Sequence, residues 1–185
     1  MDLKNKRAVV LVSGGMDSAL CVSLAKQMDY DIAGLHLNYG QRAEQREQTA
    51  FDNLAKHFDF SHKLIVDVSH FSLIGDSSLT DKTIQLKKAD LTSIDIPNSY
   101  VPFRNGNILA IAASWAEVIK AEAIVIGAMQ LDSSGYPDCR EDFFKAYEKA
   151  INLGTKPETY IKILTPIINY TKSDIIGEGL NITCR

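Results

Sequence analysis

The sequence predicts an α/β fold, a doubly wound and mostly parallel five-stranded sheet with helices on both faces. Three observations carry that expectation. Short apolar runs recur between longer amphipathic segments. The runs are continuous rather than alternating, as in strands covered on both faces. The first run ends in two adjacent glycines, where a strand of such a sheet turns into a helix.

Each element follows in chain order. Residues 8–12 (AVVLV) form a buried strand stopped by glycine. Residues 17–28 have helical spacing, with Ala19, Leu20, Leu24 and Met28 on or near one face. Residues 32–37 (IAGLHL) form a second strand, and 43–58 a helix whose stripe is Ala50, Phe51, Leu54, Ala55 and Phe58. Residues 63–68 form a third strand. From 69 to 101 the period stops among Ser, Asp, Thr and Lys, which predicts a flexible functional loop or lid. Residues 105–120 return as an apolar helix, 123–126 as a strand and 141–152 as a helix. Residues 161–164 form a fifth strand, stopped by Pro166, and a short helix follows Thr171. Crossovers in such a sheet are right-handed.

The chain has 185 residues, 45% of them hydrophobic, which suits a single domain over 1–185. Twenty Lys and Arg against 23 Asp and Glu leave a net charge of -3. No basic surplus marks a large nucleic-acid face. No apolar run approaches the roughly 20 residues that span a bilayer, and 8–12 is too short for a secretory signal. Neither membrane nor nucleic acid is expected as a partner. Cys21, Cys139 and Cys184 are odd in number and far apart, which fits a reducing cytoplasm.

The candidate site begins at SGGMDS, residues 13–18. Adjacent glycines let backbone N–H groups approach an anion without a Cβ in the way. Asp17 and Ser18 then open a helix, whose N-terminus carries free donors and partial positive charge. A phosphate fits there. The spacing matches neither GxxxxGK[ST] nor GxGxxG. The string resembles the SGGxDS motif of the PP-loop ATP pyrophosphatases, whose fold is of the adenine nucleotide alpha hydrolase type. The resemblance implies that ATP is held by Val12, Ser13, Gly14, Gly15, Met16, Asp17, Ser18, Ala19, Leu20, Cys21 and Val22. It makes Asp17 a candidate Mg²⁺ contact.

The second strand ends in HLNYGQR, residues 36–42. The rest of a nucleotide belongs beside it, so backbone groups of 35–37 are candidates for the adenine edge. His36 reads either as an ATP contact or as a packed imidazole. Tyr39, Gly40 and Gln41 form a turn lining the site. Arg42 reads equally as an anion ligand or as solvated. VPFRN, residues 101–105, places Arg104 at a helix start, where a guanidinium is favoured when an anion joins it. After the fourth strand comes DSSGYPDCR, residues 132–140. Tyr136 can stack on a flat heterocycle, Asp132 or Asp138 can accept from a guanine-like N–H edge, and Arg140 can hold an anion.

These four strings, in this order, resemble the 7-cyano-7-deazaguanine (preQ0) synthase family. GYPDCR is more specific than the glycine loop. The TP and TKSDI segments at 165–166 and 171–175 also match, which makes Lys172 a phosphate contact or a solvated helix lysine. The resemblance implies an ATP-dependent C–N ligase of queuosine biosynthesis. Its substrates are 7-carboxy-7-deazaguanine, ammonia and ATP. Asp17, Arg104 and Lys172 are its catalytic candidates, and Tyr39, Gln41, Arg104, Asp132, Tyr136, Asp138 and Arg140 its substrate contacts. It also implies a homodimer and a four-cysteine Zn²⁺ cluster near the C-terminus. Here only Cys184 is a candidate ligand, because no CxxC is present; either a segment is missing or the chain is a zinc-free variant. The competing readings are another PP-loop ligase acting on tRNA and a non-catalytic nucleotide-binding sensor.

Overall fold

The computed structural model describes residues 6–41, 43–74, 100–129 and 136–183. Five strands are interleaved with helices. β1 (Arg7–Leu11) leads to α1 (Met16–Gln27), β2 (Asp31–Asn38) to α2 (Glu44–His57), and β3 (His62–Asp67) to one helical turn, α3 (Phe71–Ile74). Then come α4 (Arg104–Ile119), β4 (Ala123–Val125), a 3-10 turn at Pro137–Cys139, α5 (Glu141–Gly154), β5 (Lys162–Leu164) and α6 (Lys172–Thr183).

The strands run in the order β3-β2-β1-β4-β5. Every pairing is parallel, with Val9 opposite both Ala33 and Ile124. The chain winds from β1 outward to β3 and then crosses to β4 on the other side. That reversal is a topological switch point, and ligands of open parallel sheets bind in the crevice it opens at the strand C-termini.

Alternation along β1 supplies both faces. Val9 and Leu11 pack with Leu35, Ile124, Leu109, Ala112, Phe144 and Ile151, beneath α4 and α5. Ala8, Val10 and Val12 pack with Ile32, Val125, Leu20, Val22, Phe51 and Ile175, beneath α1, α2 and α6. The predicted doubly wound sheet is therefore present, and it is wholly parallel among the described residues.

Element ends differ from expectation by one or two residues, the usual scatter at frayed termini. The larger difference is α3. It lies within 69–101, where no regular structure was expected, and it buries Phe71 against Val68 and Val101. Phe71, Leu73 and Ile74 fall within a single turn, too short for a helical period to be read. The remainder of the expected loop or lid, 75–99, lies outside the described residues.

Candidate active site

The glycine loop leaves β1 at the switch point. Gly14 has φ +80, and a Cβ there would lie 2.7 Å from both the Ala50 Cβ and the Glu47 carbonyl oxygen. Both the left-handed backbone and the close approach to α2 require glycine. Gly15 takes an extended conformation as N-cap of α1, and no side chain among the described residues caps that helix. Ser18 turns its hydroxyl back to the Gly15 carbonyl at 2.8 Å. The uncapped first-turn N–H groups of α1 are thus left facing the crevice, a cradle for an anion.

Beside the loop is a cleft of about 280 Å³. Its walls are Leu11, Leu35, Leu37, Ile108 and Ile126, and its polar rim includes Ser13, Asp17, Ser18, Tyr39, Glu47, Arg104 and Asn105. The combination of an apolar slot and a few convergent polar groups is that of a small-molecule site. Arg104 lies 6.0 Å from the centre of the Tyr39 ring. Burial raises the Tyr39 pKa; the Arg104 charge opposes that and Glu47 adds to it. The phenol is accordingly a neutral donor at physiological pH.

The structure brings together Val12, Ser13, Asp17, Ser18, Tyr39 and Arg104, six of the residues singled out in the sequence. Lys172 joins them from α6, with Nζ 2.7 Å from the Asp17 Oδ2. Met16 is half exposed at the helix start. Ala19 is partly buried in the next turn.

Other candidates lie elsewhere. Leu20, Cys21 and Val22 are buried in the core beneath α1. A helix shows the crevice only its first turn, and these positions rotate toward the sheet. Burial pushes the Cys21 thiol up to about 12, so it is no nucleophile. The His36 ring is buried and stacked on Phe51 with centroids 5.3 Å apart. Its Nδ1 donates to the Val12 carbonyl at 2.7 Å, while Nε2 is buried with no partner among the described residues. That side chain braces the base of the loop.

Gln41 is buried too. Its Oε1 accepts from the Tyr39 N–H at 2.8 Å, and its Nε2 donates to Glu47 at 2.9 Å. It shapes the turn instead of facing the cleft. Tyr136 is half-buried with its ring 5.4 Å from that of Tyr100, and Arg140 is exposed at the start of α5. Asp138 is 3% exposed and accepts the Asn105 N–H at 2.8 Å. Arg42, Asp132 and Cys184 lie outside the described residues.

Two rim residues escaped the sequence reading. Asn105 belongs to a quoted motif but was passed over for Arg104. Glu47 is an acid in the first turn of α2, and nothing local in the sequence distinguishes it. Among the described residues, no group of three or more His, Cys, Asp or Glu could hold a metal ion. Cys21 and Cys139 are separately buried free thiols and do not fit a shared Zn²⁺ site. Asp17, beside the anion cradle, is the kind of oxygen ligand that shares Mg²⁺ with phosphates.

The family model described as Queuosine biosynthesis protein QueC matches residues 7–184. The chain belongs to the QueC family. It is 52% identical over 176 residues to the 7-cyano-7-deazaguanine synthase of Chlorobium phaeobacteroides strain BS1, covering 95% of this chain and 78% of that protein. It is 50% identical over 176 residues, with the same coverage, to the 7-cyano-7-deazaguanine synthase of Chlorobaculum tepidum.

More distant solved structures share the fold alone. A predicted subunit of tRNA methyltransferase from Methanocaldococcus jannaschii aligns with a TM-score of 0.60 at 15% identity, over 95% of this chain and 74% of that one. A 4-thiouridine synthetase solved with RNA and bound ATP aligns with a TM-score of 0.57 at 16% identity, over 96% and 40%. In this QueC chain, Asp138 and Cys139 of the GYPDCR string that suggested the family are hydrogen-bonded to Asn105 at the start of α4.

Proposed function

We propose that this QueC chain converts 7-carboxy-7-deazaguanine and ammonia to 7-cyano-7-deazaguanine at the expense of ATP. The observation that carries the reading is the uncapped α1 N-terminus, with its Gly14 cradle, sharing one cleft with Arg104. The relatives' names supply the substrate.

A carboxylate is a poor electrophile, so one of its oxygens must first become a leaving group. That oxygen attacks a phosphorus of ATP and a phosphate-containing group departs. Ammonia adds to the resulting mixed anhydride, loses a proton and expels the activated oxygen, leaving an amide. A second ATP activates the amide oxygen, whose departure with loss of two protons from nitrogen gives the nitrile. Charge grows on phosphate oxygens in both activations. The α1 N–H groups, Arg104 and Lys172 are placed to meet it. Mg²⁺ held by Asp17 would add charge neutralisation there. Tyr39 donates from the cleft wall, and Glu47 offers an acceptor for ring N–H donors. No nucleophile and base pair lines the described cleft, so catalysis rests on positioning and electrostatics.

The reading extends to a homodimer in the cytoplasm that binds neither membrane nor nucleic acid. Family resemblance supports the dimer, and free buried cysteines support a reducing compartment. The mildly acidic balance argues against a nucleic-acid partner. No described helix is long and apolar enough to cross a membrane.

Mass spectrometry tests the reading. The folded chain is incubated with Mg²⁺, ATP, ¹⁵N-ammonium and the carboxylate. The expected product is the nitrile carrying one ¹⁵N, formed only when all components are present. Neither amide nor nitrile from a folded sample would sink the assignment.

A further inference from the structure

We infer that Asp138 does not touch the substrate ring but positions Arg104, by fastening the first turn of α4 to the 136–140 segment. Asp138 is 3% exposed and Asn105 is 7% exposed. Three hydrogen bonds join Asn105 to Asp138 and Cys139, across 33 or 34 residues of chain. The Asn105 backbone N–H donates to Asp138 Oδ2 at 2.8 Å. The Asn105 side-chain amide donates to the Asp138 carbonyl at 3.0 Å and to the Cys139 sulfur at 3.2 Å.

The carboxylate therefore fills the N-terminus of α4, where an anion is favoured by free N–H groups and the helix dipole. No ion pair joins Asp138 to a cation among the described residues; N–H donors hold it. Two consequences follow. The α4 terminus is occupied from within the chain, so a ligand's phosphate goes to the uncapped α1 terminus instead. Arg104, the residue before Asn105, also takes its direction from this junction. Its backbone enters the helix through Phe103, which sits at φ 52 in the left-handed region. The Phe103 ring is held from outside by Phe143 at 5.7 Å and lies over Gly106, where a Cβ would come within 2.2 Å of it. With Asp138 inside and this ring outside, the guanidinium is sent toward Tyr39.

The kinetic arm of the test rests on the ligase reading above; the exchange arm does not. Asp138→Ala is expected to lower kcat/KM for the carboxylate substrate about 100-fold, the cost of misplacing a reacting group by an ångström. The KM for ATP is expected to hold. Asp138→Asn keeps an acceptor oxygen and is expected to restore most of the activity, which a direct charge contact would not allow. The 2-deamino analogue, 7-carboxy-7-deazahypoxanthine, should be disfavoured against the substrate by the same factor in Asp138→Ala as in the parent chain.

Equal damage in both variants, or loss of that discrimination in Asp138→Ala, would overturn the inference. Amide exchange at Asn105 is measured in parallel. It should accelerate in Asp138→Ala and stay slow in Asp138→Asn. Unchanged protection in Asp138→Ala overturns the junction even if the parent chain shows no turnover, an outcome that would sink the ligase reading separately. If Asp138→Ala fails to fold, Asn105→Ala takes its place; it removes the two side-chain bonds and should lower kcat/KM without moving the KM for ATP.

Discussion

Lys172 Nζ lies 2.7 Å from Asp17 Oδ2 and 3.0 Å from Oδ1, across 155 residues of chain. The first residue of α6 thus closes on the acid of the glycine loop. Their side chains are 53% and 28% exposed, so the pair adds only about 0–1 kcal/mol to stability. In the proposed reaction it holds a cation where phosphate charge would develop. Lys172→Met is expected to leave the melting temperature nearly unchanged and to lower kcat about 100-fold, typical for removing one charge-stabilising donor. An unchanged kcat in steady-state assays would leave Lys172 a solvated helix lysine.

The two loop glycines are predicted to behave differently. At Gly14 an alanine meets φ +80 and a backbone oxygen at 2.7 Å. Gly14→Ala should cost about 1–3 kcal/mol in stability and abolish measurable ATP binding by calorimetry. Gly15 has φ -82, and its nearest neighbour to an added Cβ is the Ser13 hydroxyl at 3.5 Å. Gly15→Ala should fold normally and bind ATP more weakly. Equal binding by both variants would contradict a cradle formed by backbone approach.

Glu47 keeps its carboxylate at the cleft through a neutral amide, with Gln41 donating to Oε2 at 2.9 Å. Glu47→Gln preserves an oxygen for Gln41 but removes the charge that accepts from a ring N–H. A charged hydrogen bond of about 1.5–3 kcal/mol is lost, so the KM for the carboxylate substrate should rise at least about tenfold. The KM for ATP is measured alongside it. If neither constant moves, Glu47 serves only to brace the turn.

Asp174 gives the acid side of the stability profile a specific sign. Its Oδ2 accepts from both the Thr171 N–H and hydroxyl at 2.8 Å, and its own N–H donates to the Thr171 hydroxyl at 3.3 Å. This is a reciprocal cap on α6. The backbone and hydroxyl hydrogen bonds hold the carboxyl below its ordinary range. A lowered folded pKa stabilises above the unfolded value of about 3.9, and that stabilisation is lost as pH falls through the folded value. Thermal melts of Asp174→Asn should therefore lie below those of the parent chain at neutral pH and converge with them in acid. A constant gap down to the lowest pH would assign the effect to packing.

Much of this was legible from local pattern. Continuous apolar runs at 8–12, 32–37 and 123–126 specified strands buried on both faces, because these three strands are covered on both sides and have no solvated face to produce alternation. The position of SGGMDS after the first run specified an anion site, because glycines without Cβ atoms and a helix start are local properties. GYPDCR specified the family by its own residues.

What local pattern could not decide was which way each polar side chain faces and whom it meets. Asp138 and Gln41 carried the marks of substrate contacts and lie buried, Asp138 bonded to Asn105 and Gln41 to Glu47. His36 proved to be packed on Phe51, and Glu47 came from an apparently solvated helix face to line the cleft. The reason is physical. Strand and helix periods depend on neighbours a few residues away, whereas a buried carboxylate is set by whichever donor the fold brings to it. For Asp138 that donor is Asn105, 33 residues earlier, and only the packing of α4 against the 136–140 segment makes them neighbours.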